Sequence, residues 1–276
     1  MERGHPCPPE REARTRLSRE SKHLSLLRKL CGQGCPRSIY ISRFPLIAPL
    51  PPVLPFWNSK LSVMAHYLDI ATWPRRQVFE FFRGFDKPYF NICTRVDVTR
   101  LVEGLRGRGL SVSMAYHYVA LRAANEIEPF RYRLRAGKVF VHDVIHGGTT
   151  VLLPSEAFTL AYFDYVEDFE KFVIDGARAI AEAHAGDGAF RPRNEDDGRI
   201  HFTVVPWFSF TSFSHARNWG TEDSIPKIAF GKFLSENQRV LLPISIEVHH
   251  ALLDGFTVGR YLTRLEEMLS NPEAVW

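Results

Sequence analysis

Alternating apolar and polar positions near the C-terminus predict a strand that ends at a polar turn. Apolar side chains occupy every second position at Leu242, Ile244, Ile246 and Val248. The intervening positions are more polar, and this period of two predicts a strand with one face more buried than the other. His250 continues the apolar parity just where the strand should end. An imidazole directed inward there requires a polar partner or a ligand.

A helix is predicted directly after this strand. Apolar residues recur at helical spacing, at Val258, Tyr261, Leu262, Leu265, Met268 and Leu269. Asp254 and Gly255 precede them, where an N-cap belongs. Taken singly, Asp254 would be no more than a helix cap, and His250 a core histidine with a satisfied ring. The order strand, His-His-x-x-x-Asp-Gly, helix is what makes the two residues candidates for chemistry.

The rest of the chain mixes extended and helical segments without a strict alternation. Strands are predicted over 89–98, 131–134, 138–142, 158–163, 200–213, 225–233 and 239–248. Helices are predicted after Trp73-Pro74 and over 98–106, 113–126 and 166–184. Such a mixture predicts an α+β fold, with a mixed β-sheet and flanking helices.

Residues 1–63 differ in composition from the remainder. They hold 11 Lys and Arg against 4 Asp and Glu, and 9 of the 18 prolines, although the whole chain has a net charge of only +4. We predict a Pro-rich, basic N-terminal extension over 1–63, either disordered or belonging to a gene start placed too early, and one folded domain over 64–276. The folded part is mildly acidic, which argues against a nucleic-acid partner.

The sequence also argues against a membrane protein and a disulfide scaffold. The apolar stretch 44–57 is broken by five prolines and cannot form a spanning helix, and no secretory signal is present. The four cysteines include no metal-ligand set, and Cys93 stands alone in the folded part. This usage predicts a reducing, cytoplasmic location and no bound metal.

Two stretches carry a resemblance to a known family. The stretch from His249 to Phe256, with a strand before it and Gly-Arg-Tyr-Leu after it, resembles the active-site signature of the chloramphenicol acetyltransferase family. A related motif occurs in the wider group of CoA-dependent acyltransferases. The segment Trp73-Pro-Arg75-Arg, followed by Phe-Glu, resembles the opening of the same enzymes. The resemblance runs from about Tyr67 to the C-terminus.

The family resemblance implies a function and an assembly. It implies an acyltransferase sandwich that carries acetyl groups from acetyl-CoA, without a metal, to a hydroxyl of chloramphenicol or a related small alcohol. Antibiotic resistance would follow from that activity. It also implies a homotrimer with active sites at the subunit interfaces.

The same resemblance implies roles for eight residues. His250 would be the general base, Asp254 would orient the site, and Arg75 would pair with Asp254. Thr203 would provide the hydroxyl for the oxyanion, since it occupies the position of a family serine in Thr203-Val-Val-Pro-Trp. The substrate-binding positions would be Phe82, Phe158, Trp207 and Lys232. His249 falls on the other strand parity and is given a structural role.

The chain departs from the family pattern at several positions. Ala229 and Phe233 replace a threonine and a tyrosine, and Asp86 and Pro88 replace small or apolar residues of the acceptor pocket. A catalytically weakened relative that binds a ligand or partner therefore stays open as an alternative. A metal hydrolase is a weaker one, because adjacent histidines on opposite strand faces cannot easily share one ion.

Overall fold

The computed structural model describes residues 65–193, 196–218 and 222–276, so the predicted extension over 1–63 lies outside the described residues. The strands are β1 His66–Tyr67, β2 Tyr89–Asp97, β3 Tyr132–Arg135, β4 Lys138–Val141, β5 His146–Leu152, β6 Phe158–Phe163, β7 Arg199–Val205, β8 Lys227–Gly231, β9 Leu234–Glu236 and β10 Arg239–His249. The α-helices are α1 Arg76–Phe82, α2 Thr99–Gly104, α3 Val112–Glu126, α4 Phe169–Ala185 and α5 Gly255–Ser270. Short 3-10 helices cover Glu128–Arg131 and Pro272–Ala274.

The larger sheet has seven strands and mixed direction. Its order is β2-β10-β8-β7-β5-β6, with β9 added to β10. Strand β7 runs parallel to both β5 and β8, whereas the other pairs are antiparallel. A second sheet joins β1, β4 and β3. Helices α3, α4 and α5 bury apolar side chains in the core, so the predicted α+β fold with a mixed sheet and flanking helices is confirmed.

Strand β10 lies inside the sheet and is buried on both faces. Ser245, Glu247 and His249 occupy the polar parity, yet each is at most 5% exposed. The irregular segment 206–218 covers this face. Within it, the Phe213 carbonyl lies 3.5 Å from the Ser245 hydroxyl and Arg217 Nε donates to Glu247 at 2.7 Å. The expectation of one distinctly less buried face was therefore wrong, because polar backbone and side-chain groups of the covering segment pair with the polar side chains of the strand.

Two other strand predictions needed correction. The predicted strand over 200–213 ends at Val205, and the chain then leaves the sheet to form the covering segment. Strand β5 was not predicted at all, because Gly147 and Gly148 dilute its apolar pattern. Their small size is required: a Cβ on Gly147 would lie 2.2 Å from the ring of Phe163 on the neighbouring strand.

His117 lies in the core and should make the fold sensitive to acid. It is fully buried beside the rings of Phe202 and Phe230, with Nδ1 2.7 Å from the Ser113 carbonyl and Nε2 without a described partner. Burial lowers the pKa of His117 from 6.5 to about 4. Between these values the unfolded chain binds more protons than the folded one. The stabilisation is complete above about pH 6.5 and is lost towards pH 4, by roughly 3 kcal/mol in all.

We expect His117→Leu to reduce this pH dependence. Between about pH 7.5 and pH 5, the free energy of unfolding should fall by roughly 2 kcal/mol less in His117→Leu than in the wild type. Urea unfolding at the two pH values measures the difference. The exposed His184 provides the control, since His184→Leu should behave as the wild type. Equal losses in wild type and His117→Leu would show that His117 is not the residue responsible.

Candidate active site

The ring of His250 is held between two phenylalanines at the end of β10. It stacks on Phe82 with ring centroids 3.9 Å apart and planes 6° from parallel. Phe90 contacts it at 4.7 Å with planes inclined by 50°. Phe82 comes from the last turn of α1 and Phe90 from the start of β2. Aromatic packing from two elements therefore fixes the plane of the imidazole.

The backbone at His250 is fixed as well. Its N–H donates to the carbonyl of Pro88 at 2.6 Å, just before β2 begins. Nδ1 is buried and has no hydrogen-bond partner among the described residues. The expected polar partner of an inward-facing histidine is therefore absent at Nδ1 in this part of the chain. Stacking and the backbone orient the ring, and no carboxylate of the described residues pairs with Nδ1 in the manner of a serine-protease triad.

Asp254 caps α5 and faces Arg75. Its Oδ1 accepts from the Thr257 backbone N–H at 2.8 Å and from the Thr257 hydroxyl at 2.7 Å. Its Oδ2 lies 3.4 Å from Arg75 Nη2. Burial opposes ionisation of Asp254, but the hydrogen bonds from Thr257 and the charge of Arg75 outweigh it and lower the pKa of the carboxyl. Asp254 is thus an ionised N-cap of α5.

Arg75 connects the first helix to the turn that carries His250. Its Nη1 donates to the Leu252 carbonyl at 2.9 Å, while Nη2 faces Asp254. Arg75 immediately precedes α1, the helix whose last residue is Phe82. The arginine and the phenylalanine that contact the 250–254 turn are therefore placed by the same short helix.

Four other candidate residues lie away from this turn within the chain. Thr203 is on β7, in register with Ala229 of β8, which is in turn in register with Ser245 of β10. At the usual strand spacing, Thr203 is roughly 10 Å across the sheet from β10. Phe158 lies on the edge strand β6, roughly 19 Å from β10, and is 53% exposed.

Trp207 and Lys232 follow the ends of β7 and β8. Trp207 is 59% exposed, and Lys232 is also exposed, with its backbone N–H donating to the Phe208 carbonyl at 2.9 Å. The chain therefore brings together His250, Asp254, Arg75 and Phe82. The other four candidates lie on strands β6 and β7 or just after β7 and β8, away from the turn.

Two contributors to the site were missed or misread from the sequence. Pro88 was noted as a departure from an acceptor pocket, but it is buried and its carbonyl holds His250. Phe90 was read as an ordinary strand residue. Its register opposite Val248 places it beside the strand end that carries His250, and only the strand pairing reveals this.

Across 65–193, 196–218 and 222–276, no group of three or more His, Cys, Asp or Glu side chains is arranged to hold a metal ion. None of the helices in these ranges is long and apolar enough to cross a membrane.

The sheet and its terminal turn match the fold of solved acetyltransferases. A solved chain of dihydrolipoamide acetyltransferase from Azotobacter vinelandii aligns over 72% of this chain and 88% of its own, with a TM-score of 0.53 and 15% identity. That likeness concerns the fold alone. A solved chloramphenicol acetyltransferase aligns over 75% of this chain and 100% of its own, with a TM-score of 0.69 and 30% identity.

Sequence comparison narrows the class to one family. The family model described as "Chloramphenicol acetyltransferase" matches residues 64–266. Chloramphenicol acetyltransferase 3 of Escherichia coli is 28% identical over 206 residues, which are 74% of this chain and 96% of that protein. The enzyme of Streptomyces acrimycini is 30% identical over 207 residues, 74% of this chain and 94% of its own. The chain belongs to the chloramphenicol acetyltransferase family and is an acyltransferase, so the predicted resemblance is confirmed.

Proposed function

We propose that this protein transfers the acetyl group of acetyl-CoA to a hydroxyl of chloramphenicol or a related small alcohol, with His250 as general base. The observation that carries the proposal is the placement of His250, stacked on Phe82 and tied through its backbone to Pro88. The turn that bears it is anchored by Arg75 and Asp254. A conferred resistance to the antibiotic would follow, and we place the reaction in the cytoplasm, in keeping with the cysteine usage.

The proposed reaction needs one proton acceptor and one oxyanion donor. Neutral His250 takes the proton of the acceptor hydroxyl as its oxygen attacks the thioester carbonyl. The tetrahedral intermediate then collapses, the C–S bond breaks, and the proton passes from the imidazolium to the CoA thiolate. Since Nδ1 is buried, Nε2 is the nitrogen assigned to this transfer. A base in this position contributes about 10²- to 10⁴-fold to the rate.

Thr203 is the residue we propose for the oxyanion. A threonine hydroxyl can donate one hydrogen bond, and losing one such donor costs roughly 3 to 4 kcal/mol of transition-state stabilisation. The neighbouring position in register is Ala229, which carries no hydroxyl. Thr203 would then be the single hydroxyl at this point of the β7–β8 pair.

We further propose a homotrimer in which His250 of one chain meets Thr203 and Phe158 of the next. Strand order supports this, because both residues are separated from His250 within one chain. Exposed aromatic side chains are available for such an association: Phe158, Phe190, Trp207 and Phe208. The substrate-binding roles of Phe82, Phe158, Trp207 and Lys232 belong to this arrangement.

Co-expression of two inactive chains tests the shared site. We expect His250→Ala and Thr203→Val chains to form mixed trimers with measurable activity, because some interfaces then combine an intact His250 with an intact Thr203. Light scattering should give three times the mass of 31.7 kDa per chain. A monomer of full activity, or mixed trimers no more active than either parent, would contradict the arrangement.

Acetyl-CoA-dependent thiol release by the purified chain, with and without chloramphenicol, tests the function. Release that needs both chloramphenicol and His250 supports a resistance enzyme. Release with another small alcohol keeps the mechanism and changes the acceptor, a result for which the exposed Asp86 in the acceptor loop provides a reason. Absence of release with every acceptor, in a folded trimer, would support the alternative of a ligand-binding relative.

Replacing Phe82 tests whether stacking orients the base. We expect Phe82→Ala to lower kcat about tenfold, because an aromatic pair contributes about 0.5 to 1.5 kcal/mol beyond its buried area. Phe82→Tyr should retain most of the activity, since it preserves the ring that stacks on His250. Val78→Ala on the same helix is the control, because Val78 is 40% exposed. A higher KM for the acceptor with an unchanged kcat would indicate that Phe82 binds the acceptor and does not orient His250.

A further inference from the structure

The turn that follows His249 is held by hydrogen bonds to that residue. The Leu252 and Leu253 N–H groups both donate to the His249 carbonyl at 3.0 Å. The Ala251 N–H instead donates to the side chain of His249, at Nδ1, with a distance of 3.2 Å. Ala251, Leu252 and Leu253 are fully buried, so each of these N–H groups needs a protein partner.

The bond to Ala251 acts on the peptide plane next to the proposed base. The Ala251 N–H and the His250 carbonyl belong to one planar peptide group. Fixing that plane fixes the backbone rotation at His250 and hence the direction of its side chain. The preceding peptide plane is already fixed, because the His250 N–H donates to Pro88. Each of the two peptide groups that flank His250 is therefore held by one hydrogen bond, and His249 accepts the second of them.

The hydrogen bond from the Ala251 N–H also determines which ring nitrogen of His249 carries the proton. A ring nitrogen that accepts from an amide must carry a lone pair, so the neutral ring has its proton on Nε2. Burial, together with the charge of Arg217, lowers the pKa of His249 to about 4, which keeps the ring neutral near pH 7. The His249 ring meets Tyr89 edge-on, with ring centroids 5.2 Å apart, and the Arg217 guanidinium carbon lies 4.5 Å from the centroid of the Tyr89 ring.

We propose that His249 is a positioning residue for the proposed acetyl transfer, holding the His250–Ala251 peptide plane through an Nδ1 lone pair. This inference rests on the proposed function and extends it to a residue outside the reacting groups. His249 contacts neither substrate; it acts through the backbone of His250. The first histidine of the pair then has a definite task that requires an acceptor at one particular atom.

Two substitutions distinguish the Nδ1 position from the Nε2 position. His249→Asn places an amide oxygen at the distance of Nδ1 from the backbone, where it can accept from Ala251. His249→Gln extends the amide by one carbon towards the Nε2 position and leaves the Ala251 N–H without its acceptor. We expect His249→Asn to keep kcat within about threefold of the wild type. His249→Gln should lose about 10²-fold in kcat with little change in KM, the effect of a misplaced catalytic group.

Thermal unfolding of both variants separates positioning from folding. A Gln variant that melts near the Asn variant but turns over far more slowly supports the proposal. Equal kcat in the two variants would overturn the proposal, whether both are as fast as the wild type or both are slow. Nitrogen NMR of the full chain labelled in histidine provides a readout that does not need turnover. It should show a neutral, Nε2-protonated ring for His249 at neutral pH, assigned by its loss in His249→Asn.

The outcomes also separate this inference from the proposed function. A wild type without acetyl transfer to any alcohol would refute the proposed function, and with it the positioning role. The NMR result would still decide whether the Ala251 hydrogen bond exists. An Nδ1-protonated ring in an active enzyme would overturn the inference about His249 and leave the proposed function intact.

Discussion

Replacing His250 with alanine is expected to lower kcat for acetyl transfer about 10³-fold, within the range that a positioned general base contributes. The physical reason is the absence of a second base in the described part of the turn: Asp254 is committed to Thr257 and Arg75. The KM for acetyl-CoA should change little, because the proposal gives His250 a role in proton transfer and none in holding the CoA. Steady-state thiol release with acetyl-CoA varied at a saturating concentration of the acceptor measures both quantities.

His250→Gln and His184→Ala are the matched comparisons. Glutamine fills much of the space beside Phe82 and Phe90 but cannot act as a base near pH 7, so it should be nearly as slow as alanine. His184, exposed at the end of α4, should tolerate substitution without loss. Retention of more than about a tenth of the activity in His250→Gln would argue for another base and against the proposal.

The sequence predicted the fold well where one physical signal dominated. The period-two run before His250 and the helical spacing after Asp254 gave β10 and α5, because burial and capping act locally there. Strand β5 was missed because Gly147 makes room for the Phe163 ring of the neighbouring strand, a contact that local periodicity does not contain. The strand predicted over 200–213 was drawn too long, because the segment 206–218 is fitted to the polar face of β10 by contacts such as Arg217 with Glu247, 30 residues apart in sequence.

In the candidate site too, sequence motifs were readable, whereas contacts between separate elements were not. The Arg75–Asp254 pairing was expected from the resemblance, and the structure places the two charges 3.4 Å apart. The Pro88 carbonyl and the Phe90 ring could not be assigned, because a backbone acceptor has no residue-type signature and a strand phenylalanine has many roles. The acceptor for Ala251 was equally hidden: His249 was expected to be structural, but only geometry identifies the atom involved.

Removing the charges that anchor the turn should slow the enzyme through the orientation of His250. We expect Asp254→Ala and Arg75→Met each to lower kcat about 10²-fold, since small displacements of a catalytic group have effects of this size. Asp254→Ala should also lose about 1 kcal/mol of stability, because it removes the N-cap of α5. Chemical unfolding alongside steady-state kinetics separates the two effects.

Asp254→Asn separates the charge of Asp254 from its role as a cap. Asparagine is as good a cap as aspartate and can still accept from Thr257, so its stability should stay close to wild type while the pairing with Arg75 weakens. The double variant Arg75→Met with Asp254→Asn is the decisive one. If the residues act as a unit on the 250–254 turn, its kcat should be close to that of Arg75→Met alone. Losses that multiply would instead mean that Arg75 acts mainly through the Leu252 carbonyl and Asp254 separately through the helix.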